Sequence, residues 1–462
     1  MLTLRHLLFS ALTALSLPAV VHGGAPSPTA TPERTPDGAA AFITPDPSPP
    51  KSVREKKDVH PETPKKYPDV PVLGYVTPWN SRGKQLVEDF RVKFDIISPV
   101  WYTIHPDADS TKVYRIEGGP PSEDDVTWYK RLQTPSASAS KVVKITPRFI
   151  LENWNQDDYN NLIFNQTRWD ILSSSVWGVV KDMSYDGIVF ESSATHAMGG
   201  ALEPLSTLLH THGKILTLVM PPLRTAAGHG AQNRVILESI PPLAKITDYF
   251  SIMTYDFTGP AGLETDRAFP AGSTMAKSKK HGKVREPGPN TSLEWIKVNM
   301  GALSHLLTLD SQSVLGEHFQ FSEEITARML MGMPLYGYTY PVTFADAKTG
   351  DVLKKKAKEQ KDIVPILVGP GKALTALEAE KLLDEHGSAI QQDSDGEYFF
   401  YYVENGVYWR ATIPTTESLS SALAVLDQGI DVLKQDPTIQ PLKAGVALWE
   451  VGQSSLELLD VL

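Results

Sequence analysis

YDGIVFESS, residues 185–193, places one carboxylate inside a β-prone apolar run, between an Asp-Gly pair and two serines. Ile188, Val189 and Phe190 favour a strand. Alternation along that strand puts Val189, Glu191 and Ser193 on one face, with Asp186 at the strand start. A glutamate in such a run is costly unless it is hydrogen-bonded or sits at an exposed strand end. Glu191 is therefore either a buried polar group satisfied by neighbours or a chemical group at the mouth of a sheet. The stretch alone leaves both readings open.

Working outward, the same pattern recurs in VLGYV (72–76), FDIISPVW (94–101), VVKITPRFI (142–150), ILTLVM (215–220), YFSIMTY (249–255), RMLMGMPLYG (328–337) and GVALWE (445–450). Amphipathic stretches such as 169–180, 202–210, 293–308 and 419–428 lie between them. Eight strand runs alternating with helical patterns predict an α/β fold, a (β/α)8 TIM barrel spanning 69–462. A doubly wound open sheet shares that rhythm, but the count of eight and the polar or aromatic strand ends favour the barrel. Two stretches interrupt it. Residues 259–290, with SKKHGK at 278–283, read as a solvated loop. Residues 339–412 hold a helical pattern and two aromatic strands flanking Asn405-Gly406, a hairpin signal. They predict a small α+β lobe inserted between strands 7 and 8.

The ends and the composition bound the function. Residues 1–23 carry Arg5 and His6 ahead of an apolar run, the layout of a signal peptide. Residues 24–68, rich in Pro, Ser, Thr and charge, read as a disordered linker. The expected location is the secretory pathway, with release outside the cell or into a lysosomal or vacuolar lumen. Asn165-Gln166-Thr167 is an N-glycosylation acceptor and hence an expected surface position. A formal net charge of −10 argues against nucleic acid as a partner. No later segment has the roughly 20 apolar residues of a membrane span. The absence of cysteine excludes thiol catalysis and thiolate metal sites. No cofactor or metal is expected: no histidine pair has ligand spacing, no Gly-rich phosphate loop follows a strand, and GPGK (369–372) is too short and isolated.

DGIVFESS resembles the fourth-strand signature of glycoside hydrolase family 18, the chitinase family, written D-G-x-D-x-D-x-E. MTYD (253–256) resembles that family's sixth-strand motif, and GVALWE its eighth strand. GYVTPWNSRG (74–83), FDIISPVW, TPRFILENW (146–154), LVMPP (218–222), SIMTYDFTG (251–259) and ALWEVGQ (447–453) extend the likeness over residues 70–462. By this resemblance Asp186 and Gly187 open the signature, Val189 stands where its second Asp would be, Glu191 where the third would be, and Ser193 where the catalytic Glu would be. Tyr255 and Asp256 match residues that position the substrate's acetamido group, and Trp449 matches the floor. Arg148, Glu152 and Glu450 are further groove candidates.

In that family the substrate's own N-acetyl oxygen attacks, and the enzyme supplies one carboxylic acid. A serine hydroxyl cannot take that role, and losing a general acid costs about 10²–10⁴ in rate. Glu191 sits two residues deeper, roughly 6–7 Å from the strand rise, too far for direct proton transfer. The resemblance thus implies a carbohydrate-binding, chitin-binding protein without hydrolase activity, its ligand an oligosaccharide, and it admits a protein partner. The alternatives are a glycoside hydrolase using Glu191 as acid and an interaction barrel with a vestigial groove.

Overall fold

The computed structural model describes residues 59–106, 114–135, 141–225, 228–264, 273, 284–303, 321–353, 363–393, 396–428 and 444–462. The signal-peptide stretch, most of the linker and SKKHGK lie outside these residues. Eight parallel staves form the body. They are Val72–Val76, a second in two pieces (Ile96–Pro99, Tyr102–Pro106), a third in two pieces (Lys144–Ile145, Arg148–Leu151), Gly187–Glu191, Ile215–Met220, Tyr249–Ile252, Met329–Pro334 and Gly445–Trp449. The break in the third stave falls at Thr146-Pro147, where proline has no N–H for the ladder. The first pieces of staves two and three pair with each other, as do the second pieces. Because the remaining staves link third to fourth and onward to eighth, first and second, the sheet closes on itself. The barrel is as expected, and the open-sheet alternative falls.

Strand parity sorts the core. Leu73, Tyr75, Ile96, Val100, Val189, Ile215, Val219, Leu330 and Ala447 fill the interior. Their neighbours Ile188, Phe190, Leu216, Leu218, Val446 and Leu448 pack outward in the layer shared with the helices. At Gly187, φ is +155° and a Cβ would come within 2.1 Å of the Ile215 carbonyl oxygen. Only glycine lets the fourth stave start this close to the fifth.

The inserted lobe is an antiparallel sheet: Tyr336–Asp346, Ile363–Leu367, Lys372–Thr375, Gln391–Gln392, Tyr398–Glu404 and Val407–Ile413. Its helix, Ala376–His386, starts at a Thr375–Glu378 capping box and stops at left-handed Gly387. Asn405 and Gly406 both take positive φ, the backbone that a two-residue hairpin requires. The lobe is slightly wider than 339–412, because its first strand begins at Tyr336, just after the seventh stave.

The linker expectation meets the described residues at Val59, and there the chain lies against the base of the barrel. The His60 N–H donates to Asp460 (3.2 Å), and the Lys66 N–H donates to the Leu462 carbonyl (2.7 Å). Lys65 donates to Asp95 and to the Val70 carbonyl, both at 2.7 Å. Val59 and Tyr67 pack on the main core. We expect a chain starting at residue 59 to be as stable as the full chain, and one starting at residue 69 to lose about 2–4 kcal/mol, the scale of a broken, largely buried ion pair plus lost apolar contact. Urea denaturation of the two truncations checks this; equal midpoints would place the folded boundary at 69.

Candidate functional site

The strand ends gather aromatic and charged groups at the C-terminal mouth of the barrel, the face where this architecture builds its sites. Trp449 closes the eighth stave, partly exposed, with a cis peptide to Glu450. Its ring lies 5.1 Å from that of Tyr75 and 6.3 Å from that of Tyr255, nearly parallel to the latter at 18°. The Arg148 guanidinium lies over the indole, 5.7 Å from the ring centre. Its Nη1 donates to Glu191 Oε2 at 2.9 Å, with the two side chains only 4% and 15% exposed. Glu191 therefore ends the fourth stave as the acceptor in a largely buried ion pair, with Val189 fully buried in the interior beneath it.

The second wall is built around Asp256. Tyr255 and Asp256 follow the sixth stave, and Asp256 takes a left-handed φ of +57°. Asp256 Oδ1 accepts from the Tyr336 hydroxyl and from the Tyr338 hydroxyl, the latter at 2.6 Å. Its backbone N–H donates to Asn290 Oδ1 at 2.9 Å. Tyr336 and Tyr338 share a face of the lobe's first strand, so the lobe completes this wall. Burial first, and then the Asp256 charge, push both phenols well above their usual range and keep them protonated donors. Burial does the same for Tyr255 and for Tyr75, whose hydroxyl donates to Ser251 at 2.9 Å. Arg224, past the fifth stave, places its guanidinium 5.9 Å from the Trp295 ring centre. Burial lowers its pKa, and the charge of Asp256 opposes that shift.

The other sequence candidates are dispersed. Ser193 lies beyond the last strand residue, exposed, with its hydroxyl donating to Tyr159 at 2.9 Å. Asp186 is at the opposite end of the stave, where it accepts from Gln133 and from the Ile145 N–H, both at 2.8 Å. Glu152 is exposed, 4.0 Å from His105. Glu450 is buried, accepting from Asn80 and the Gly452 N–H at 3.0 Å each. Asn165 is exposed at the start of helix Gln166–Asp182. The sequence reading did not single out Tyr75, Tyr336, Tyr338 or Asn290. The alternation in YGYTY (336–340) was a usable signal for the two lobe tyrosines.

The arrangement offers an apolar ring face beside a few fixed donors and acceptors, which suits a ligand with one apolar face and hydroxyls around its edge. Among the described residues, no three His, Asp or Glu side chains are grouped to hold a metal ion, and no helix is long and apolar enough to cross a membrane.

No protein-family model matches the sequence. Solved structures are similar across most of the chain. A chitinase from Chromobacterium violaceum superposes with a TM-score of 0.56 at 15% identity, over 85% of this chain and 97% of its own. The spore cortex-lytic enzyme SleL of Bacillus megaterium gives 0.53 at 15%, over 84% of this chain and 72% of its own. A class V chitinase from Nicotiana tobaccum, solved as a mutant in complex with NAG4, gives 0.53 at 13%, over 85% and 97%. These likenesses, with the closed eight-stave sheet, establish that the chain has the TIM-barrel fold of the chitinases.

Proposed function

We propose that the protein is a chitinase-like carbohydrate-binding protein, secreted or lumenal, whose groove holds an N-acetylglucosamine-type oligosaccharide without hydrolysing it. The observation that carries this reading is the Arg148–Glu191 pair. The carboxylate two residues before the family's acid position is engaged as an acceptor by a buried guanidinium, the reverse of the donor role that leaving-group protonation demands. The stacking of Tyr255 on Trp449, with Asp256 next in the chain, supports a floor and a shelf for a sugar. The tobacco chitinase bound to NAG4 supports an oligosaccharide as the ligand class. Within the family, the order of the sequence blocks is most like chitinase domain-containing protein 1, the stabilin-interacting chitinase-like protein, and that likeness adds a protein partner to the proposal. The leader-like residues 1–23 and the exposed Asn165 acceptor support passage through the secretory pathway as a glycoprotein.

The test pairs a glycan array with hydrolysis of chromogenic chito-oligosaccharides by the parent, Glu191→Gln and Ser193→Glu. The expected result is binding of chito-oligosaccharides with negligible turnover, unchanged in Glu191→Gln. Ser193→Glu should gain little, because Val189 leaves the signature's second Asp missing. Turnover by the parent that collapses about 100-fold in Glu191→Gln, the scale of a lost general acid, would make Glu191 the acid and the protein a glycosidase.

A further inference from the structure

Glu397, at the base of the lobe's Tyr398–Glu404 strand, is a buried carboxyl at 7% exposure, remote in sequence from every groove motif. Its own backbone is fixed inside the lobe. Its N–H donates to Asp393 Oδ1 at 2.9 Å, its carbonyl accepts from the Asp393 N–H at 3.0 Å, and Asp393 is paired with Arg410 at 3.0 Å. Glu397 Oε1 then leaves the lobe and accepts the Asn290 N–H at 2.7 Å. Asn290 uses its other three polar groups to join two more segments. Its Oδ1 accepts the Asp256 N–H at 2.9 Å, its carbonyl accepts the Phe257 N–H at 2.9 Å, and its Nδ2 donates to the Tyr336 carbonyl at 2.9 Å. The amide orientation follows from this set, because one end faces a donor and the other an acceptor.

Asp256 sits in a left-handed conformation, uncommon outside glycine though more accessible to Asp than to most residues. Asn290 supplies the acceptors for the N–H groups on both sides of that kink, and it also holds the backbone of a tyrosine whose hydroxyl binds the Asp256 carboxylate. Burial pushes the Glu397 carboxyl well above the usual carboxylate range. What the geometry uses at this position is a fixed acceptor oxygen.

We infer that Glu397 is a positioning residue for the groove: through Asn290 it sets the backbone and carboxylate direction of Asp256, so the inserted lobe governs the acetamido-side wall. The consequence for affinity rests on the glycan-binding reading above; the geometric consequence does not.

Amide hydrogen exchange reads the geometry directly. In Glu397→Leu, which keeps bulk and removes the acceptor, the Asp256 and Phe257 amides should exchange about tenfold faster, the scale of one lost buried hydrogen bond. The amides of Phe190 and Leu218 in the staves should not change. Glu397→Gln retains an acceptor oxygen and should restore parental exchange. Chito-oligosaccharide affinity should follow the same order, falling about tenfold in Glu397→Leu and recovering in Glu397→Gln. A uniform change across the barrel, or equal behaviour of the two variants, would overturn the inference. If Glu397→Leu does not fold, denaturant-dependent exchange of the parent decides: the Asn290, Asp256 and Phe257 amides should share one opening, and separate openings would overturn it. Failure of the parent to bind any glycan would sink the proposed function and leave the exchange result to stand or fall alone.

Discussion

Arg148→Met is expected to destabilise the barrel by about 3–5 kcal/mol, the cost of leaving a buried charge without its partner. Glu191 is largely buried, and its Oε2 lies 2.9 Å from the guanidinium that would be lost. The variant would also lose the cation–π contact with Trp449, worth a further ~1–2 kcal/mol when desolvated. Glu191→Met should be damaging for the mirror-image reason, since it takes the carboxylate away from a buried guanidinium. The double variant is the informative one. With both charges gone and similar volumes kept, a buried pair can often be replaced by apolar side chains at little net cost, so stability should recover most of what either single change removes. A double-mutant cycle by chemical denaturation measures this as a coupling energy of about 2 kcal/mol or more; a value under about 0.5 kcal/mol, the ordinary error of additivity, would mean that the two groups do not depend on each other. Strong coupling would also fix the role of Glu191 as half of a structural pair.

The parts of this protein that could be read from sequence are those set by neighbouring residues. Each stave is a short apolar run whose alternation decides its inward and outward faces, so Val189 falls inside and Ile188 outside as parity requires. The same parity argument failed to carry past the strand. It grouped Ser193 with Glu191, yet the strand stops at Glu191 and the chain turns, leaving Ser193 exposed against Tyr159. Glu450 adjoins Trp449 in sequence, but the chain turns after the stave and sends its carboxyl to Asn80 and Gly452. Arg148 was named as a candidate without its partner. The pairing depends on the register of the third and fourth staves, Arg148 opposite Val189, which no local pattern encodes. The wall around Asp256 was half invisible for a similar reason. Tyr336, Tyr338, Asn290 and Glu397 come together only when the lobe docks on the barrel. Segment 59–68 was hidden because it attaches through backbone groups, one lysine and two isolated apolar side chains, Val59 and Tyr67, and shows no apolar period.

Trp449→Ala should weaken chito-oligosaccharide binding about 30-fold, or ~2 kcal/mol, as expected for removing a central aromatic anchor. The indole is partly exposed and is braced on several sides, by Tyr75, Tyr255 and Arg148. Such bracing orders the ring before a ligand arrives, so little side-chain entropy is lost on binding. Truncation would also remove packing, and a drop in affinity alone would not separate platform from scaffold. Leu448→Ala supplies the contrast. Leu448 is the preceding residue, fully buried and facing the helix layer. Its truncation should cost about 2–5 kcal/mol of stability while the folded fraction keeps parental affinity. Trp449→Ala should show the opposite balance, and Trp449→Phe should recover part of the binding because a ring face remains. Calorimetry on one chito-oligosaccharide across the three variants, beside their denaturation midpoints, separates these effects. Unchanged affinity in Trp449→Ala would remove the ring from the binding surface and, with it, the reason to place a sugar above the Arg148–Glu191 pair.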